Sequence, residues 1–480
     1  MVISPAIRAD LALAAPELWL LGAACVILLV DLFLSDRTRQ VTYLLALAAL
    51  VATAWAVAGQ PAARAYAFAG MYVADGVSRL LKLVACGTVA CVFLYSRDYL
   101  INRGLFKGEY FVLALFALLG IFVMASASSL LTMYLGIEIL ALSLYAMVAF
   151  DRDSPVAAES AIKYFVLGAI ASGSILYGIS MVYGVQGTFS LTDLAGGLYP
   201  DVARNVGLLF GLAFLMAGIA FKFGAVPFHM WVPDVYQGAP TSVTLFLTAA
   251  PTLAYFALAF RVLAEGLGAT VEAWRDMMII LAVLSLGVGS VVGVVQTNLK
   301  RLLAYSTIAN IGFILLGLLT GTAAGYRAAM FYAIIYVIMA MGSFAMIVLL
   351  SRRGFESERI DDFKGLATKS PWFAWMMLFL MVSTAGVPPF VGFFGKLYVL
   401  QALIDAGLTW LAVVALTFSV ISAYYYLKVV KVMFFDEPLD RTALEAGPAI
   451  RLLVSVNALG VLALGLANTW VLDAVTRALP

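Results

Sequence analysis

Charge is what this sequence has least of. Only 12% of its 480 residues are Asp, Glu, Lys or Arg, while 64% are apolar. Soluble domains carry about 25% charged residues, and so few charges cannot cover the surface of a chain this long. A water-soluble fold is excluded, as are disorder, collagen and a disulfide scaffold. Cysteine occurs three times, at Cys25, Cys86 and Cys91, each within an apolar run. The last pair is spaced for neither a metal site nor a disulfide framework. Histidine occurs once, at His229. There is no Gly-rich dinucleotide turn, phosphate loop, haem histidine pair or iron–sulfur cysteine cluster, so no cofactor and no redox chemistry are expected in this chain. The net charge of +2 is spread thinly and makes no basic face for nucleic acid. No secretory or transit segment is expected ahead of the first apolar run.

What the chain has is long apolar runs, each near the ~20 residues that a helix needs to cross a bilayer. Broken at polar and Gly/Pro clusters, they predict an all-α polytopic membrane protein of about fourteen helices. The helix centres fall near Ile27, Leu50, Ala85, Leu118, Leu140, Ser172, Leu212, Ala254, Leu286, Leu315, Val337, Leu380, Phe418 and Leu459. The alternating ~10-residue segments of a membrane barrel are absent. An even count puts both termini on one side. Connections after odd-numbered helices hold fourteen Lys and Arg, among them Arg97, Arg103, Arg152, Lys300, Arg301 and Arg441. The other face holds six: Arg8, Arg64, Arg204, Arg275, Arg327 and Arg477. Positive charge stays inside, so the termini are expected outside the cytoplasm; with the long form and no targeting segment expected, that means the periplasmic side of a bacterial inner membrane.

Short strings recur in order. Gly224–Phe228 (GAVPF) resembles Gly386–Phe390 (GVPPF) at an offset of 162, YLGI at Tyr134 resembles YSTI at Tyr305 at 171, and Gly173-Ser174 matches Gly342-Ser343 at 169. This offset spans five predicted helices, an odd number, which inverts the second copy in the membrane. Proline breaks a helix, and a broken helix at membrane depth is tolerated only where it lines a cavity or is packed in protein. Half-helices are therefore expected near Lys222–Phe228 and Thr384–Lys396, and paired interruptions point to a transport site.

Nine basic residues fall outside the loops and tails. Arg79 can pair with Asp75 and Arg261 with Glu265 at i,i+4; Lys428 and Lys431 can snorkel; Arg451 starts a helix; Lys82 has no evident partner. Glu138 sits in mid-span with Tyr134 and Tyr145 on about the same face. A charge there costs ~2.5–3.5 kcal/mol on insertion scales and usually lines a polar path; the plainer alternative is a protonated structural glutamate. Lys163 either pairs with Glu159 or faces Glu138 and modulates its charge. Lys222 precedes the first break with no carboxylate within four residues, so it is a proton carrier or a snorkelling lysine. Lys396 follows the second break with the same two readings. His229 is a relay or a packed side chain, and Asp234 reads as a cap or turn residue.

These residues lie in strings that resemble a known family. YLGIEILALSLYAMVAF with Glu138, ESAIKYFVLGAIASGSILYG with Lys163, GIAFKFGAVPFHMWVPDVYQGAP with Lys222 and GVPPFVGFFGKLYVL with Lys396 look like the antiporter-like membrane subunits of respiratory complex I, closest to the subunit N branch. Lysine rather than glutamate at 396, and an end at Pro480 without a long lateral helix, favour that branch over subunits M and L. The resemblance implies two inverted five-helix half-channels. It also implies a complex that couples NADH oxidation and quinone reduction to proton translocation, with NADH, FMN, iron–sulfur clusters and quinone on partner subunits. Its partners would be antiporter-like subunit M, small membrane subunits and the lipid bilayer. Glu138 and Lys163 would form the modulating pair, Lys222 the first proton carrier and Lys396 the second, with His229 in the relay. One departure stands out: Thr252 replaces the lysine or histidine that members often carry in the eighth helix, so the link between halves is left to water, His229 or tyrosines. The expected divisions are 1–108, a first half-channel at 109–265, a second at 266–440 and a C-terminal helix at 441–480. A multi-subunit sodium/proton antiporter shares this plan, and a scaffold that packs the membrane arm is the other alternative.

Overall fold

The computed structural model describes residues 4–61, 63–197, 205–438 and 446–479; Arg204, Arg441 and Pro480 lie outside them. Two short helices, α1 (Pro5–Leu13) and α2 (Ala15–Asp31), meet at a 72° bend. After α3 (Gln40–Ala58), the antiparallel strands β1 (Ala65–Ala67) and β2 (Tyr72–Ala74) lead into α4 (Gly76–Asn102). A first series follows: α5 (Gly108–Ala125), α6 (Leu130–Val148), α7 (Pro155–Gln186), α8 (Leu191–Gly197), α9 (Val206–Phe223), α10 (Trp231–Gly238) and α11 (Thr241–Ala259). The second comprises α12 (Val271–Val294), α13 (Leu299–Leu319), α14 (Ala323–Leu350), α15 (Leu366–Lys369), α16 (Pro371–Ala385), α17 (Val391–Asp405) and α18 (Thr409–Phe435). The last helices are α19 (Pro448–Leu466) and α20 (Asn468–Ala478).

All fourteen predicted centres fall inside helices. Among the described residues, twelve helices are long and apolar enough to cross a membrane, or thirteen with the bent α1–α2 pair; α16 is apolar but shorter. The most apolar windows of α11 and α13 are wholly buried, whereas those of α3, α7 and α18 are only 39% buried. A helix apolar on every side is at home either in lipid or inside protein. Here α11 and α13 take the interior, and the others turn a face outward.

Several elements of the two series recur at one spacing. Helices α6, α7 and α11 start at 130, 155 and 241; α13, α14 and α18 start at 299, 323 and 409, each 168 or 169 residues later. The bridge Ser129–Ser190 recurs as Asn298–Arg359, both members displaced by 169. Close helix contact recurs as well. A Cβ on Gly120 would lie 2.5 Å from the Leu140 backbone nitrogen, and one on Gly289 would lie 2.6 Å from that of Ala309. Gly289→Val forces backbone apart and is expected to cost about 1–3 kcal/mol, read as a lower thermal midpoint of the purified protein; an unchanged midpoint contradicts this packing.

On the terminal side of the bundle, two ion-pair clusters differ from expectation. Asp75 does not take the side chain of Arg79, which donates instead to the Ala58 carbonyl. It caps α4 through the Ser78 amide and receives a forked pair of bonds from Arg261 at 2.8 and 2.7 Å. The forked guanidinium geometry wins because two charge-assisted bonds outweigh one exposed i,i+4 contact. Arg261 lies in a π-helical turn, Phe260–Gly266. It also binds Glu265 at 2.7 Å, as the spacing predicts, and the Ala125 carbonyl. Lys82 finds its partner in Glu17, 2.5 Å away on α2, and donates to the Tyr72 hydroxyl.

Candidate functional site

Both predicted breaks are present. Helix α9 stops at Phe223 because Gly224 turns left-handed (φ 70°), and α10 resumes at Trp231. Helix α16 stops at Ala385, where Gly386 has φ 89°, and α17 resumes at Val391. Only glycine takes such angles without strain. Gly386 is also a matter of space: a Cβ there would fall 2.7 Å from Cδ of Lys396.

Each break holds a buried lysine against the end of a half-helix. Lys222 is in the last turn of α9, 4% exposed, and its Nζ donates to the Ser172 hydroxyl of α7 at 3.2 Å. Lys396, on α17 and 6% exposed, donates to the last carbonyl of α16, Ala385, at 2.8 Å and to Ser419 of α18 at 2.8 Å. Its ammonium also stands 5.2 Å from the centre of the Phe313 ring. The carbonyl end of a helix attracts a cation. Among the described residues, however, neither lysine has a carboxylate at ion-pair distance. An ammonium so placed is held directly by neutral oxygens and the helix end.

Glu138 is half-buried in the middle of α6. Its Oε1 is buried with no hydrogen-bond partner among the described residues. Tyr134 lies one turn before it and Tyr145 two turns after it on the same helix.

Lys163 departs from the reading in which it faces Glu138. Its side chain is 44% exposed and pairs with Glu159 at 2.8 Å and with Asp234 at 3.1 Å. The i,i+4 carboxylate is one turn away on the same face, and Asp234 approaches from α10, so the ammonium is drawn outward. Asp234 is more than a turn residue: its other oxygen takes Arg301 of α13 at 2.8 Å, tying α7, α10 and α13 together. His229 lies half-buried in the 224–230 turn, between exposed Phe228 and Met230. Its Nδ1 has no partner among the described residues, and the structure does not join it to Glu138 or Lys222.

Between the two lysines lies a network that the sequence reading left unplaced. Thr252 contributes no titratable group, its hydroxyl returning to the Thr248 carbonyl. Three groups of buried hydroxyls form a band, the second and third joined along the chain by the neighbours Ser306 and Thr307. Tyr255 lies against Tyr164 and Tyr236 against Thr307, while Tyr336 donates to Thr307 at 2.7 Å. Tyr332 donates to Asn310 at 2.6 Å, and the Asn310 amide reaches Tyr426 at 3.3 Å and Ser306 at 3.2 Å. Ser306 and Tyr426 are hydrogen-bonded at 2.5 Å. A signal for it was present: Ser306, Thr307 and Asn310 interrupt an apolar helix at i, i+1 and i+4, and Tyr332 and Tyr336 are one turn apart. Counting charges passes over them. Hydroxyls and amides both donate and accept, so such a band offers hydrogen-bonding groups to a proton in transit while holding no standing charge of its own. Among the described residues, no group of three or more His, Cys, Asp or Glu side chains could hold a metal ion.

Comparison with known proteins agrees with this fold. Residues 127–422 match the family model described as NADH:quinone oxidoreductase/Mrp antiporter, transmembrane. The NADH-quinone oxidoreductase subunit N of Thiobacillus denitrificans is 54% identical over 454 residues, covering 94% of each chain. A chain of respiratory complex I from Thermus thermophilus, solved with bound aureothin, superposes with a TM-score of 0.83 at 32% identity, covering 96% of this chain and 100% of that one. A chain of the Mrp complex from Dietzia sp. reaches a TM-score of 0.84 at 21% identity, covering 98% of this chain and 96% of that one. That likeness reflects the fold alone, so the fold is common to both systems and the sequence separates them. The chain belongs to the subunit N family of NADH-quinone oxidoreductase, respiratory complex I.

Proposed function

We propose that this chain carries protons across a bacterial inner membrane, driven by quinone reduction elsewhere in complex I, with Glu138, Lys222 and Lys396 as the titrating groups. The observation that supports this most is the pair of buried lysines at the two breaks, Lys222 in the last turn of α9 bonded to the Ser172 hydroxyl and Lys396 bonded to the last carbonyl of α16. An ammonium without a carboxylate partner is costly to bury. A small change in nearby charge is then enough to decide whether it keeps its proton.

In this reading residues 109–265 and 266–440 are inverted half-channels in a fourteen-helix chain, with both termini periplasmic. Glu138 supplies the charge that stabilises protonated Lys222. When Glu138 is neutralised, Lys222 discharges toward the Tyr236–Thr307–Tyr336 hydroxyls, and the proton continues past Asn310 and Tyr426 to Lys396. Lys163 acts at one remove: through Asp234 and Arg301 it couples movement of α7 to α10 and α13. His229 stays a candidate for the outer end of the first half. NADH, FMN, iron–sulfur clusters and quinone belong to partner subunits, and subunit M and small membrane subunits are the expected neighbours.

The test is proton uptake into proteoliposomes, measured together with NADH oxidation. Lys222→Met should reduce protons moved per electron by about tenfold, the equivalent of ~1.4 kcal/mol in the transfer barrier, in complex that still assembles. Glu138→Gln should give a smaller loss, about threefold, because Lys222 keeps its proton less often but is not removed. Unchanged pumping per electron in Lys222→Met overturns the reading. Failure of both variants to assemble, with normal coupling in the complex that does form, indicates a scaffold.

A further inference from the structure

A polar cavity of about 250 Å³ lies where the ends of α4, α7, α10 and α13 meet the segment after α14. Arg103, Asp151, Gln237, Lys300, Glu356 and Glu358 line it, and none of them belongs to the Glu138, Lys222 and Lys396 set. It is on the face that carries the arginine-rich connections. Glu356 is already engaged: it pairs with Arg103 at 2.5 Å and accepts from the hydroxyls of Tyr99 and Thr241.

Lys300 is the unusual member. It is only 2% exposed, and among the described residues it forms no ion pair. Its Nζ donates to the Ala239 carbonyl at 2.7 Å, in the hinge between α10 and α11. On the other side of that hinge Thr244 donates to the Tyr236 carbonyl at 3.0 Å, and the Tyr236 side chain lies against Thr307. A buried amine thus lines a polar cavity and shares the Ala239 carbonyl with Thr244, whose hydroxyl also reaches the Tyr236 carbonyl. Such a group is expensive to bury, and nothing in the Glu138–Lys222–Lys396 route accounts for it.

We propose that this cavity is the intake for protons from the loop face and that Lys300 relays them from the cavity to the Tyr236–Thr307 end of the hydroxyl band, from which Lys222 is loaded before neutralisation of Glu138 discharges it again. Neutral Lys300 takes a proton from cavity water and then releases one of its three toward the band, so the amine is restored and no group is consumed. The proposal rests on the reading of the band as a proton path. A lysine suits this role and an arginine does not, because a guanidinium does not deprotonate in proteins.

Lys300→Arg tests it, since it preserves the charge and the donor to Ala239 while removing the ability to give up a proton. In proteoliposomes Lys300→Arg and Lys300→Met should both lower protons per electron, each by about tenfold, with NADH oxidation of the detergent-dispersed complex retained. Wild-type pumping in Lys300→Arg overturns the proposal, since the lysine is then only an anchor for the hinge. The second arm needs no change at Lys300. Val156→Cys, at the cavity rim, is treated with a bulky membrane-impermeant maleimide from one side at a time. Labelling from the cytoplasmic face should cut pumping relative to the same unlabelled variant. Labelling only from the opposite face, or labelling without effect on pumping, overturns it. If Lys222→Met is silent too, the underlying path fails; if Lys222→Met stops pumping while Lys300→Arg does not, only the intake fails.

Discussion

Lys396→Met is expected to reduce proton output at least about tenfold, ~1.4 kcal/mol or more in the transfer barrier, while complex dispersed in detergent continues to oxidise NADH. Lys396 belongs to α17, one half of its break, and its Nζ bonds the last carbonyl of the other half, α16, and the Ser419 hydroxyl of α18. Methionine fills a similar volume and leaves those oxygens to each other or to water, so the packing cost is small. Lys396→Arg discriminates further. It keeps a cation at the half-helix end but cannot release a proton, and it has to fit under Gly386, where a Cβ would already meet the lysine stem at 2.7 Å. Pumping should be as low in Lys396→Arg as in Lys396→Met. The measurement is acidification of the lumen of proteoliposomes against NADH consumed; a Lys396→Met complex that pumps normally removes the second half from the path.

Arg261→Met should destabilise the protein by about 3–5 kcal/mol, the cost of removing one partner from a buried ion pair. Arg261 is wholly buried and answers two carboxylates at once, Asp75 and Glu265. Without it Asp75 keeps only its bond from the Ser78 amide in an interior that does not tolerate a lone charge. The clamp joins the start of α4 and the end of α11 to the Ala125 carbonyl, where α5 ends, so its loss should appear as less assembled complex and a lower thermal midpoint. Asp75→Asn added to Arg261→Met should recover part of the loss, because it removes the stranded charge. A single Arg261→Met variant as stable as the parent contradicts the clamp, and a double variant worse than the single contradicts its electrostatic origin.

The positions of the helices and of the two breaks were determined by the sequence alone. Insertion depends on the composition of about twenty consecutive residues, and the Gly–Pro strings at Gly224 and Gly386 act locally on the backbone. The same holds for Glu138, Lys222 and Lys396 as charges in apolar surroundings, since a single position in a single helix reveals them. What each of these side chains meets was decided only by tertiary structure. Lys163 turns to Asp234 rather than to Glu138, Asp75 to Arg261 rather than to Arg79, and Lys82 to Glu17 from another helix. The hydroxyl band from Tyr236 to Tyr426 and the cavity beneath Lys300 likewise need several helices at once. The physical reason is rotational. A surface helix declares its buried face by its polar one, but the most apolar windows of α11 and α13 are buried on every side. Their sequences therefore leave rotation about the helix axis open, and that angle, set by packing such as Gly289 against Ala309, selects which polar groups touch.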